Sequence, residues 1–331
     1  MTQGLQVFAI ALLMALQAAC TTSSVAPGSG SDTSAGAQRS PAGSAATQEP
    51  TPLATSAGDL PALVINLGRT TGPFDIVGAF GSVWVAAHHS DEVLRIDPVS
   101  LRITARIKAG PGPGWFAVTD DALWITNKNG AGVSRIDPQT NELVTSVGIG
   151  SPCGPPTAGL GSVWILGCDS QVIERIDPAT NTVADSISAV GYSEPLLADK
   201  QLYASNADAL ARIDPTTGSF VVVGGCCGLP FGYDGTTIWL NGLNDLTRVD
   251  PVTGDVMATL HTGSGATSIT FVAGHAWVTY MSRHQLVEID LATTQVIATI
   301  DIGLSPIVVY SAFDALWVTD YDAGNLWKLT P

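Results

Sequence analysis

The chain has 331 residues, 45% of them hydrophobic and 13% charged, a composition too apolar for a disordered protein and sufficient for a large core. Fourteen Lys and Arg against 29 Asp and Glu give a formal charge of −15. No basic patch offsets that charge, so a nucleic-acid backbone would be repelled.

Residues 5–16 form an apolar run that is too short to span a bilayer and suits the hydrophobic core of a signal peptide. It leads into Leu16-Gln17-Ala18-Ala19-Cys20, which resembles a bacterial lipobox. That resemblance implies that Cys20 is lipidated and becomes the new N-terminus. Residues 1–20 are therefore expected to be a signal peptide. Residues 21–58 are rich in Ser, Thr, Ala, Gly and Pro and are expected to be a disordered linker, with a mean reach of roughly 35 Å. The expected location is extracytoplasmic and membrane-anchored through the lipid alone, with a secreted protein as the alternative.

A repeat organises residues 59–331. Its aromatic anchor falls at Trp84, Trp124, Trp164, Tyr203, Trp239, Trp277 and Trp317, at intervals of 40, 40, 39, 36, 38 and 40 residues. A matching aspartate follows at Asp97, Asp137, Asp177, Asp214, Asp250 and Asp290, and Thr330 takes that place in the last copy. Each copy reads as four short strands with β-branched residues and turn signals between them. This predicts an all-β, seven-bladed β-propeller with four strands per blade. The last copy stops after its third strand, and residues 61–66 read as an unpartnered fourth strand. They are expected to complete the last blade and so close the ring.

The repeated residues are expected to be structural. The tryptophans fill the gaps between blades. The Asp-Pro segments form tight turns in which the Asp accepts backbone N–H groups. Arg95, Arg135, Arg175, Arg212 and Arg248 are expected to serve as structural groups at blade edges.

Trp124-Ile125-Thr126-Asn127 followed by Arg135-Ile136-Asp137-Pro138 resembles the YVTN-type propeller repeat, and the strand pattern is similar to the streptogramin lyase group of seven-bladed propellers. The latter resemblance implies histidines opening the late inner strands, a glutamate after the tryptophan motif, and a magnesium ion. Here the inner strands open Gly265-Ala266-Thr267-Ser268-Ile269 and Ser305-Pro306-Ile307-Val308, and Val278-Thr279-Tyr280 follows Trp277. None of the family's positions is matched, so that activity is not expected. No nucleophile elbow, phosphate loop or Cys-x-x-Cys pair appears in the folded part. Adjacent His88 and His89, near Asp91, are expected to point to opposite sides of a strand end and not to share a metal ion. No catalytic residue, cofactor or metal is expected.

Cys153, Cys168, Cys226 and Cys227 make an even count in an exported chain. Cys153 opens an inner strand and Cys168 follows its antiparallel neighbour, so the two are expected to bridge. Cys226 and Cys227 are candidates for an adjacent bond, with free thiols or an exchanged pairing as alternatives. The loops on that face vary between copies, whereas the Asp-Pro turns opposite are uniform. Variable loops are the usual seat of binding. The face beside Cys226 is expected to offer Tyr192, Glu194, Asn206, Phe231 and Asn244 to a ligand. The sequence thus reads as a monomeric binding or interaction module for an unknown protein or small-molecule ligand of the cell envelope. A hydrolase or lyase of unrecognised type on the same face is the alternative.

Overall fold

The structure, a computed structural model, describes residues 53–57, 60–225 and 228–331. The expected signal peptide, Cys20, Cys226, Cys227 and most of the expected linker lie outside the described residues. The rest is all-β. Seven antiparallel sheets follow one another, and the only helical elements among the described residues are 3-10 turns at His88–Ser90 and Met281–Arg283.

Blade one comprises Pro73–Ala79, Ser82–Ala87, Glu92–Ile96 and Ile103–Lys108, from the inner strand outwards. Blade two repeats it with Pro113–Val118, Leu123–Asn127, Gly132–Asp137 and Glu142–Gly148. Blades three to six keep the order. The second strands are buried along most or all of their length, and their sequences, such as SVWVAA and ALWVTD, are correspondingly near-continuous apolar runs.

Each aromatic anchor packs on the following blade, as expected. Trp84 lies against Leu123, Ile125 and Ile136 of blade two. Tyr203 lies against Ile238, Leu240 and Val249 of blade five. Trp317 carries the contact round to Ile76, Val83 and Val85 of blade one. Full burial of an indole is worth ~4 kcal/mol before ordering costs. The indole N–H is satisfied within its own blade, as in Trp84 Nε1 to the Ala79 carbonyl at 2.9 Å and Trp239 Nε1 to Asp234 Oδ2 at 2.8 Å.

Three of the arginines clasp the next blade among the described residues. Arg95 Nη1 donates to the Pro138 carbonyl and to Asn141 Oδ1, both at 2.9 Å, in the turn of the next blade. Arg135 reaches Pro178 and Asn181 in the same way, and Arg248 reaches Leu291 and Thr294. Lys328 takes the role at the chain's end, donating to the Pro98 carbonyl of blade one at 2.9 Å. Blade six has Glu288 at this position, paired with His275. Its neighbour, blade seven, takes its third strand from Asn325–Leu329 and its fourth from Leu60–Asn66, so no turn joins the two for an arginine to grip.

Blade seven is assembled from both ends. Leu60–Asn66 pairs antiparallel with Asn325–Leu329, from Ala62 opposite Leu329 to Asn66 opposite Asn325. One feature was not expected: Leu53–Ala57 pairs with Leu60–Asn66 as a fifth strand, where the sequence read as linker up to residue 58. Its residues, LATSA, have the composition of the linker before it. Strand formation there follows from the edge that the closing strand presents rather than from local propensity.

Candidate functional site

The two faces of the ring are built differently. On one, the aspartates are spent on their turns. Asp97 Oδ1 accepts the Ser100 N–H at 2.6 Å, and Asp137, Asp214 and Asp250 each accept two backbone N–H groups. These bonds hold the Asp97, Asp137, Asp214 and Asp250 carboxyls below their ordinary range, the backbone N–H groups being the main cause. These groups are turn formers, as expected.

On the other face, the fourth residue after each tryptophan anchor leaves the second strand. In blades seven, one and two that residue is Tyr321, His88 and Lys128. They meet the first residues of the inner strands, and Phe74 is the hub. Its ring lies 5.6 Å from His88, 5.2 Å from Trp115 edge-on, and 6.0 Å from Tyr321 edge-on. His89 lies 4.8 Å from the Tyr321 ring, with Nε2 2.7 Å from its hydroxyl. The Lys128 ammonium sits 4.4 Å over Phe74 and 4.2 Å over Trp115.

Local backbone puts these groups together. His88 and His89 do not alternate on a strand as the sequence reading supposed. They start the 3-10 turn His88–Ser90, which ends at Asp91 in the left-handed region, φ 57°. That turn brings both rings into contact with Tyr321, with centroids 5.7 Å apart. Two glycines leave room for them. A Cβ on Gly72, φ 56°, would lie 2.6 Å from His89 Nδ1, and one on Gly112, φ 61°, would lie 2.9 Å from His88 Cε1. Asp91 Oδ1 accepts the Gly112 N–H at 2.8 Å and ties the two loops together.

Burial dominates the electrostatics. It pulls the Lys128 ammonium down to about 8 and lowers His88, whose Nδ1 lies 3.2 Å from the Pro113 carbonyl. Beneath them, Asp75 is buried in the inner strand of blade one and accepts the N–H groups of Ile76 and of Phe116 in blade two, both at 2.8 Å. Desolvation outweighs those bonds and pushes its carboxyl up to about 7. Among the described residues, no cluster of three His, Cys, Asp or Glu side chains is arranged to hold a metal ion.

The residues singled out from the sequence lie in blades three to five. Cys153 and Cys168 form the expected disulfide, with Cα atoms 4.7 Å apart across hydrogen-bonded strand ends. Tyr192 stacks on Phe220 at 4.1 Å and packs beside Cys153. Phe231 packs against the core cluster of Trp239, Ala276, Val278 and Ile289 between blades five and six. Asn206 Oδ1 accepts the N–H groups of Asp208 and Ala209, stabilising its own hairpin, and Asn244 is exposed. Glu194 precedes the inner strand of blade four, Leu196–Ala198, beside Gly154, and burial pushes its carboxyl up. No ring or hydrogen-bond contact joins these five to one another among the described residues. The aromatic cluster in blades seven, one and two was missed. Its signal was the fourth residue after the anchor, which changes from Tyr to His to Lys in successive blades.

No protein-family model and no curated protein matches the chain by sequence. Solved structures match its fold. A streptogramin B lyase superposes with a TM-score of 0.68 at 16% identity, covering 83% of this chain and 99% of that one. A catalytically inactive virginiamycin B lyase from Staphylococcus aureus, solved with quinupristin, gives 0.67 at 17% identity over 82% of this chain and 100% of that one. BamB from Moraxella catarrhalis gives 0.58 at 14% identity over 85% and 100%. At these identities the likeness is one of fold.

Proposed function

We propose that the protein is an exported binding module that takes a ligand or partner on the variable-loop face, at the cluster of Phe74, Trp115, Tyr321, His88 and Lys128. The observation that carries this reading is the contrast between the faces. The turn carboxylates of the Asp-Pro face are engaged by their own backbone N–H groups, and three of its turns are held by arginine clasps. The loop face holds a half-buried ammonium over two aromatic rings, with no hydrogen bond or ion pair from the Lys128 side chain among the described residues. Half-buried aromatics gathered round a few polar groups are the usual make-up of a binding surface. The Cys153–Cys168 disulfide fits an oxidising, extracytoplasmic compartment. Lipid anchoring through Cys20 and a tether that ends before the strand Leu53–Ala57 remain part of the proposal.

The test is differential capture. The domain from residue 50 onwards is immobilised, and retained species from an envelope extract are identified by mass spectrometry. Trp115→Ala is compared with Thr140→Ala on the Asp-Pro face. Retention lost only with Trp115→Ala supports the reading. Equal retention by both variants, or equal loss, overturns it.

A further inference from the structure

Aromatic rings gathered at a surface ordinarily favour a cation, because their faces carry negative potential. This cluster already contains its cation. Lys128 Nζ lies within 4.4 Å of the Phe74 and Trp115 ring centres. A second positive group entering there would meet like charge in a partly desolvated setting. The carboxylates of the surrounding elements are engaged elsewhere. Asp75 accepts the backbone N–H groups of Ile76 and Phe116, and Asp91 that of Gly112. Glu92 pairs with Arg106 and Lys108. Asp320 accepts the N–H groups of Leu304 and Ser305, and Asp322 takes the Ser305 hydroxyl. Lys128 is therefore a local positive centre without a counter-ion in a protein of net charge −15. The walls around it are flat: Phe74, Trp115 and Tyr321 meet edge to face.

We infer that this site binds a small aromatic carboxylate, its anionic group paired with Lys128 and its ring packed against Phe74, Trp115 and Tyr321. The inference rests on the binding reading above and names the chemistry of its ligand. His88 adds a polar edge without a fixed charge, since burial favours its neutral form. The fit is complementary in both parts. An anion lacking a ring leaves the aromatic walls unused, and a ring bearing a cation opposes the lysine.

The probes are benzoate, acetate and benzylammonium, titrated into the purified domain and followed by calorimetry and by the indole N–H resonance of Trp115, assigned with Trp115→Phe. Benzoate is expected to bind at least about tenfold more tightly than acetate, and benzylammonium not to bind. Lys128→Met should weaken benzoate about tenfold or more and admit benzylammonium into the vacated cage, while Lys128→Arg retains benzoate. Melting curves of each variant separate misfolding from lost binding. Absence of benzoate binding, a preference for benzylammonium in the unaltered protein, or undiminished benzoate affinity in a folded Lys128→Met variant overturns the inference. If the charge series fails while Trp115→Ala still abolishes capture from extract, the ligand class alone is wrong. If both fail, the face itself is not the site.

Discussion

Ring closure is the feature most open to a quantitative test. The closing strand Leu60–Asn66 contributes two buried side chains on opposite sides of its sheet. Ile65 is fully buried against Trp317 and Leu326 towards blade one, and Ala62 packs with Leu286, Leu316 and Leu329 towards blade six. Truncating Ile65 to Ala removes a buried branched side chain at a cost of about 3 kcal/mol. For about 270 ordered residues the unfolding entropy near the midpoint is about 0.6 kcal/mol/K, so Tm should fall by about 5 °C. Deletion is more severe. Starting the chain at residue 52 keeps every described strand, and starting at 59 removes only the outermost strand, which pairs with one neighbour. Starting at 67 removes five ladder pairs and uncovers Leu326 and Leu329, both now fully buried. The first two forms should melt within a few degrees of each other and elute as monomers. The third should lose well over 10 °C or associate through its opened edge. Melting curves by circular dichroism and size-exclusion chromatography decide. A third form that melts with the first two would show that the ring does not depend on this strand.

The fold was legible in the sequence because the propeller repeats a costly residue at a fixed interval. Trp84, Trp124, Trp164, Trp239, Trp277 and Trp317 are large side chains that only a repeated inter-blade gap would bury. Even the seam could be read, since a last copy that stops at Leu329 needs a strand from elsewhere. The fifth strand could not be read, because Leu53–Ala57 has the linker's composition and owes its order to the edge it meets. The clasp of Arg95 on Pro138 and Asn141 was equally hidden, since the two sit 43 and 46 residues away and only the ring geometry joins them.

The site was less legible for a related reason. Tyr321 and His89 are 232 positions apart and meet only because blade seven adjoins blade one. Treating His88 and His89 as strand residues assigned them to opposite sides, whereas the left-handed Asp91 completes a 3-10 turn that gathers them. Tyr192 and Phe231 drew attention as aromatics in variable loops. Their packing partners, Phe220 on an outer strand for Tyr192 and the core cluster around Trp239 for Phe231, could not be foreseen from local sequence. The chemistry of the cluster also depends on burial. Lys128 differs from any surface lysine only through the rings above which it lies.

Three further outcomes are expected. Replacing Cys153 and Cys168 together by Ala should cost about 3 kcal/mol, about 5 °C in Tm, without loss of fold, and reductant should reproduce the shift in the unaltered protein. Arg95→Met should cost about 1–2 kcal/mol by freeing the blade-two turn, while Arg212→Met, for which no such clasp is formed among the described residues, should cost less; urea melts compare the two. The last concerns pH, where two sets of carboxyls act in opposite senses. The turn aspartates Asp97, Asp137, Asp214 and Asp250 have folded-state values below the unfolded one, so their contribution is present above the ordinary carboxylate range and is lost as pH falls through their depressed values. Asp75 is raised from 3.8 to about 7, so between those values the folded state holds a proton that the unfolded state has released, and stability falls as pH rises through this window. A shift of that size corresponds to at most about 4 kcal/mol. The Asp75 contribution should therefore decline between about pH 4 and 7, and that of the turn aspartates should be lost separately in acid. Asp75→Asn should keep the carbonyl acceptor, remove the proton linkage and flatten the decline between about pH 4 and 7 while leaving the acid limb in place. Urea midpoints across that range test it, and a neutral limb of unchanged slope in the folded variant would show that Asp75 is not the group responsible.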